Sequence, residues 1–158
     1  MSPKAKKFIS FFCILLLVLI LSMAFLSFMS SRPDNLGLKN SRLADCPSSP
    51  NCVCSFEEKS DEVHYIEALS YKATEKEVLD KLKEILKTMP RTKIIEETEN
   101  YIYAECTSLI FRFVDDLEIY MDSENKLIHF RSASRVGHSD LGVNRKRVNS
   151  IKEKLKGL

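Results

Sequence analysis

Apolar and polar positions along this chain follow three different rhythms. Residues 8–29 carry no charge, residues 74–89 repeat apolar side chains at helical spacing, and much of 92–132 alternates apolar with polar positions. The uncharged run holds 22 residues. At about 1.5 Å per helical residue it spans roughly 33 Å, enough to cross a bilayer core of about 30 Å. Lys4, Lys6 and Lys7 precede it. Under the positive-inside bias they keep the N-terminus in the cytoplasm and send the rest across. The exit lacks an A-x-A cleavage pattern, and the next cysteine, Cys46, is 17 residues beyond Met29. An uncleaved anchor is therefore expected, rather than a signal peptide or a lipid anchor. Cys13 lies within the run as lipid-facing filler.

The second rhythm predicts a helix over 74–89. Thr74 caps it, Glu77 stands in the capping-box position, and Pro90 stops it. Val78, Leu79, Leu82, Ile85, Leu86 and Met89 form one apolar face. The third rhythm predicts strands over 92–98, 101–107, 109–121 and 127–132, preceded by an aromatic and β-branched strand over 63–72. If Ser123 opposes Lys126, Met121 meets Ile128 and Ile119 meets Phe130 on one face. On the other face Glu118 meets Arg131 and Tyr120 meets His129. A one-residue slip would put Leu117 against Arg131, so burial selects the first register. A closing helix over 141–158, capped by Asp140, turns Val148, Ile151 and Leu155 inward. The order β-α-β-β-β-β-α predicts an α+β domain, with a mainly antiparallel sheet and two helices packed on one face. The organisation expected is a cytoplasmic tail (1–7), a transmembrane anchor (8–29), a polar linker (30–45) and an exported domain (46–158).

Charge sharpens this picture. The whole chain is +2, but residues 131–158 carry eight Lys/Arg against two Asp/Glu, or +6, and residues 32–130 carry −7. The basic end either neutralises the acidic body within the fold or offers a surface to anions. Four cysteines lie beyond the anchor: Cys46, Cys52, Cys54 and Cys106. An oxidising compartment predicts at least one disulfide. Cys46 with Cys52 would pin the Pro-rich loop between them, and Cys54 with Cys106 would then fasten that loop to a strand. The C-x5-C-x-C spacing is not a usual zinc pattern, so neither a metal nor another cofactor is expected.

The densest polar segment is 131–148, RSASRVGHSDLGVNRKRV, with five Lys/Arg, three Ser and two Gly. Arg131, Arg135 and Arg145 could offer guanidinium forks to a phosphate or carboxylate, with Ser132, Ser134, Asp140 and Asn144 beside them at a helix start. The competing reading pairs these arginines internally with Asp115, Asp116 and Glu118, leaving Arg135 and Arg145 as the donors to spare. Asp115 and Asp116 point to opposite strand faces, so they do not share a metal with Glu105 easily. Ser132, Ser134, Ser139, His138 and Asp140 are crowded together without a nucleophile elbow, and no catalytic residue is assigned.

The segments CPSSPNCVCS (46–55), FVDDLEIYMD (113–122) and the 131–148 motif resemble the domain-of-unknown-function 1499 family, over about residues 43–155. The motif residues of that family fall on Cys46, Pro50, Asn51, Cys52, Val53, Ser55, Asp115, Asp116, Arg131, Ser132, Ser134, Arg135, Gly137, Asp140, Gly142, Asn144, Arg145 and Arg147. Cys54 departs from the serine usual there. The resemblance implies a small exported or membrane-anchored protein, commonly bacterial, with no established activity. The function expected is a single-pass inner-membrane protein with a periplasmic binding or accessory domain. Its ligand would be an anionic envelope component or a partner's acidic segment. The rivals are an envelope hydrolase using Asp116, Ser134 or Asp140 with Arg131, and a structural envelope-assembly protein. Nucleic acid is not an expected partner, because the exported domain is near neutral.

Overall fold

The computed structural model describes residues 2–28 and 30–158, and the side chains of all of these but 26–28. Met29, the last residue of the expected span, lies outside the described residues. Helix α1 (Pro3–Phe28) is long and apolar enough to cross a membrane, and no residue from Pro3 to Phe25 is buried in the protein. The remaining elements are β1 (Cys52–Cys54), β2 (Leu69–Ser70), α2 (Glu75–Thr88), β3 (Thr92–Glu97), β4 (Tyr101–Thr107), β5 (Val114–Asp122), β6 (Leu127–Ser134) and α3 (Val143–Leu155). The fold is α+β: an antiparallel sheet in the order β1-β6-β5-β4-β3, with β2 also on β6 and two helices on one face.

Helix α2 forms where its cap dictates. The Thr74 hydroxyl accepts from the Glu77 N–H while the Glu77 carboxylate accepts from the Thr74 N–H, so two orphan donors are satisfied reciprocally. Val78, Leu82, Ile85 and Leu86 then bury against the sheet. The β5–β6 register pairs Glu118 with Arg131, Ile119 with Phe130, Tyr120 with His129 and Met121 with Ile128, as the burial pattern requires. Leu117, Ile119, Met121, Ile128 and Phe130 join Val148, Ile151 and Leu155 of α3 in the main core.

Several boundaries differ from expectation. Residues 61–64 turn instead of extending, because the Asp61 carboxylate accepts from the Val63 and His64 N–H groups. Only Leu69 and Ser70 of the expected 63–72 strand pair with β6. Residues 109–113 form a loop, closed where Ser108 and Phe113 exchange hydrogen bonds. Helix α3 starts at Val143, because Gly142 takes a left-handed φ of 77°. The unexpected strand is β1, which pairs Cys52, Val53 and Cys54 with Ala133, Ser132 and Arg131.

The second face of the sheet is also covered. Residues 33–45, expected as a linker, run across it as a strap. Leu43 is buried, and Leu36, Leu38, Cys46 and Phe56 pack with Cys54, Tyr101, Tyr103 and Tyr120. Their spacing among polar residues hid them from any periodic pattern. The Cys46–Cys52 disulfide is present. The expected Cys54–Cys106 bridge is not; both are free and buried. Cys54 sits in the strap-side cluster and Cys106 in the helix-side core. Two strands separate β1 from β4. At about 4.8 Å per strand their backbones are about 14 Å apart, twice what a disulfide spans. Burial pushes the Cys54 thiol up to about 11 and raises Cys106 as well. Thiol titration of the denatured chain should therefore count three free thiols without reductant and five with it. In the folded protein, Cys54 and Cys106 should resist labelling.

Candidate functional site

The motif segment enters the structure on β6, and strand alternation divides its side chains between two polar clusters at one end of the sheet. Ser132 and Ser134 point toward the helices; Arg131 and Arg135 point toward the strap. Asp115 and Asp116, adjacent on β5, split the same way.

On the helix side, Ser134 donates to Asp115 Oδ1 (2.6 Å) and Arg147 Nη2 donates to Asp115 Oδ2 (2.6 Å). Ser132 donates to Asn144 Oδ1 (2.6 Å), and Arg147 Nη1 donates to both Ser132 and Asn144. The Asn144 amide donates to Ser134 Oγ (3.0 Å) and to the Asn51 carbonyl (2.9 Å). Asn51 in turn donates to the Gly137 carbonyl (2.6 Å). Asp140 accepts from the Gly142 and Asn144 N–H groups (2.9 and 2.7 Å). Ser132 and Asn144 are fully buried, so these bonds replace water and pin the start of α3 to β6 and the cysteine loop. Ser134 Oγ donates to a carboxylate already held by Arg147 and accepts from the Asn144 amide, and among the described residues no histidine is bonded to it.

On the strap side, Glu118 is wholly buried. It accepts from Arg131 Nη1 (2.9 Å), the Tyr101 hydroxyl (2.8 Å) and the Gly37 N–H (2.8 Å). Asp116 accepts from Arg135 Nε and Nη2 (3.0 and 2.7 Å) and from the Tyr103 hydroxyl (2.6 Å). Glu105 accepts from Arg135, from Arg32 (2.8 Å) and from Tyr103 (3.1 Å). Three arginines thus meet three carboxylates. Burial alone would raise the Glu105 carboxyl, but hydrogen bonds from Arg32, Arg135 and Tyr103 outweigh it and hold its pKa at about 2. Desolvation and the neighbouring carboxylates push the Tyr101 and Tyr103 hydroxyls upward, so both remain donors.

Arg135 and Arg145, expected to be the donors to spare, are both engaged. Arg135 spends its fork on Asp116 and Glu105, and Arg145 Nη2 donates to the Val63 carbonyl (2.9 Å). At this end of the sheet Arg131 Nε is a buried donor left unpaired, beside a cleft of about 300 Å³ shared with Pro33, Asp45, Asp116 and Arg135. That nitrogen is fully enclosed, so it is a cost of the fold and not an open contact. The Glu105, Tyr101, Tyr103, Arg32 and Gly37 contributions were not foreseen as a set. Alternation along β4 places Tyr101, Tyr103 and Glu105 on one face, and that was the legible signal.

A different group of cations is open. A cleft of about 480 Å³ lies between the end of α2, the ends of β4 and β5, and α3. Met89, Pro90, Cys106 and Val143 give it apolar walls, and Arg91, Lys146, Arg147 and Lys154 stand around it. Its one carboxylate, Asp115, is already paired with Arg147. Lys146 and Lys154 form no ion pair among the described residues.

Removing Arg135 would leave Asp116 and Glu105 facing each other without their shared cation. Arg135→Met should cost about 3–5 kcal/mol in urea unfolding, whereas Arg145→Ala on the surface should cost under about 1 kcal/mol. Glu105 also sets an acid limit. Its folded pKa lies below the ordinary 4.5, so its stabilisation is present above that pH and is lost as pH falls from about 4.5 toward about 2. Glu105→Gln should flatten the stability–pH curve across that window by on the order of 2 kcal/mol.

No curated protein and no solved structure matches the chain. A family match covers residues 42–155, a span that holds both polar clusters apart from the strap's Arg32 and Gly37. On that match the chain belongs to the family described as Protein of unknown function (DUF1499).

Proposed function

We propose that this is a single-pass membrane protein of the cell envelope, whose exported domain binds an anionic group. In this reading residues 1–7 stay in the cytoplasm, residues 8–29 cross the inner membrane, and the strap and domain face the periplasm. The disulfide suits an oxidising compartment, and the lysines in the first turns of α1 suit that orientation.

The observation that carries the binding reading is the cleft bounded by α2, β4, β5 and α3. Its lining holds four cations and one carboxylate, a net +3, over largely apolar walls. The 131–148 motif then serves two ends. Its β6 half, with Asn144 and Arg147, braces the fold through internal pairs, and its α3 half supplies Lys146 to the cleft. A group with a phosphate or carboxylate head and an apolar body matches this lining, because the cations face the head while the walls exclude water from the rest.

Phenyl phosphate is a soluble probe of that chemistry. Near saturation it should raise the Tm of the full chain in neutral detergent by several degrees, and phenol should not. Lys146→Ser combined with Lys154→Ser should abolish the shift, and added salt should weaken it. Arg145→Ala, outside the cleft, should leave the shift intact. A shift that survives the double lysine variant, or that phenol reproduces, would sink the assignment.

A further inference from the structure

Five large apolar side chains are exposed on the domain: Val63 (52%), Leu109 (69%), Ile110 (71%), Leu141 (87%) and Val143 (46%). Four of them share one end of the sheet. Leu109 and Ile110 sit on the loop joining the C-terminus of β4 to the N-terminus of β5. Leu141 and Val143 follow the C-terminus of β6, whose Ser134 pairs with Asp115 at the start of β5. The same end carries the Arg91, Lys146 and Arg147 side of the basic cleft.

These side chains are held out by ordered backbone. The β4–β5 loop is closed by the Ser108–Phe113 hydrogen bonds, and the half-buried Phe111 and Phe113 rings pack at 5.6 Å. Leu141 is held at φ 55°, a left-handed conformation that a leucine rarely adopts. It is also the most exposed large apolar residue of the whole chain among those described. A fold that accepts both costs at one position leaves that side chain available to something apolar.

The connection to α1 says what that is. Arg32 is bonded to Glu105, two residues from the end of β4, and so ties the strap to this same end. Only residues 29–31 separate Arg32 from the last helical residue, Phe28. Fully extended, that stretch reaches at most about 14 Å between the Cα atoms. We infer that this end of the domain docks on the bilayer that holds α1, with Leu109, Ile110, Leu141 and Val143 entering the headgroup region and Lys146 and Lys154 meeting anionic phospholipid. The inference rests on the membrane-anchored reading above and names the phospholipid headgroup as the anion of the cleft. Apolar side chains beside a basic cleft suit an anionic interface, where the burial and the charge attraction add.

The chain contains no tryptophan, so a single introduced one reports without background. Ile110→Trp, Leu141→Trp and Val63→Trp would each be made in the full chain. They would be reconstituted into vesicles of phosphatidylcholine, with or without phosphatidylglycerol, containing lipids brominated on the acyl chains. With phosphatidylglycerol present, Ile110→Trp and Leu141→Trp should be quenched at least about threefold more than Val63→Trp. Adding Lys146→Gln and Lys154→Gln, or omitting phosphatidylglycerol, should halve that quenching or better. Equal quenching at the three positions, or no dependence on phosphatidylglycerol, overturns the inference. So does unquenched emission that shifts to the blue as the protein-to-lipid ratio rises, which assigns the patch to a second copy of the chain. Retention of the chain in the vesicles at alkaline pH is read separately. Loss at that step removes the anchored reading itself, whereas retention without quenching removes only the docking.

Discussion

A guanidinium and a carboxylate shut away from water set the terms of this fold. Each ion costs several kcal/mol to desolvate, and the attraction between them compensates only when the remaining lone pairs and protons are satisfied. The Glu118 carboxylate is satisfied by donors from three places, Arg131 on β6, Tyr101 on β4 and the Gly37 N–H of the strap, and the pair leaves only Arg131 Nε as an unpaired cost. The β5–β6 register, the position of β4 and the path of the strap are thereby tied to one side chain. Slipping the register by one residue would set an aliphatic side chain against Arg131 and leave both ions unmatched. The Asp116–Arg135–Glu105 group repeats the arrangement nearer the sheet end, with Tyr103 and Arg32 completing it.

The parts of this architecture governed by local rules were legible in the sequence. Helix α2 is announced by its capping box and its apolar stripe, and the β5–β6 register by the cost of burying Arg131 against Leu117. The parts governed by distant partners were not. Strand β1 is three residues long and owes its existence to pairing with β6, so no alternation marks it. Residues 63–72 have strand-forming composition, but the Asp61 side chain bends the chain just before them. The strap reads as polar linker because Leu36, Leu38 and Leu43 are too few among polar residues to establish a helical or strand period.

The polar clusters were legible by half. Composition revealed that an acidic body and a basic end had to meet, and the register named Glu118 and Arg131 as one meeting point. It could not divide the cations into those the fold consumes and those it leaves over. Arg131, Arg135 and Arg147 are consumed. Lys146 and Lys154, unremarkable in the sequence beside the motif arginines, are left facing the cleft. A planar fork that bonds two groups at once suits an internal brace, whereas a flexible ammonium on a solvated helix face suits a surface role. The division between arginine inside and lysine outside follows that chemistry.

The strap has a consequence for the order in which this molecule can be assembled. Gly37 bonds to a carboxylate 81 positions downstream, and Arg32 to one 73 positions downstream. Closing loops of that length before other contacts form is entropically costly, and it makes non-local contacts late ones. The strap therefore has nothing to grip until β4 and β5 have been synthesised and paired. Until then Tyr101, Tyr103 and the three carboxylates remain hydrated, and the sheet has only its helix-side core. The first part of the domain to be made is the last to be secured, and its arrival is what finally excludes water from the charges.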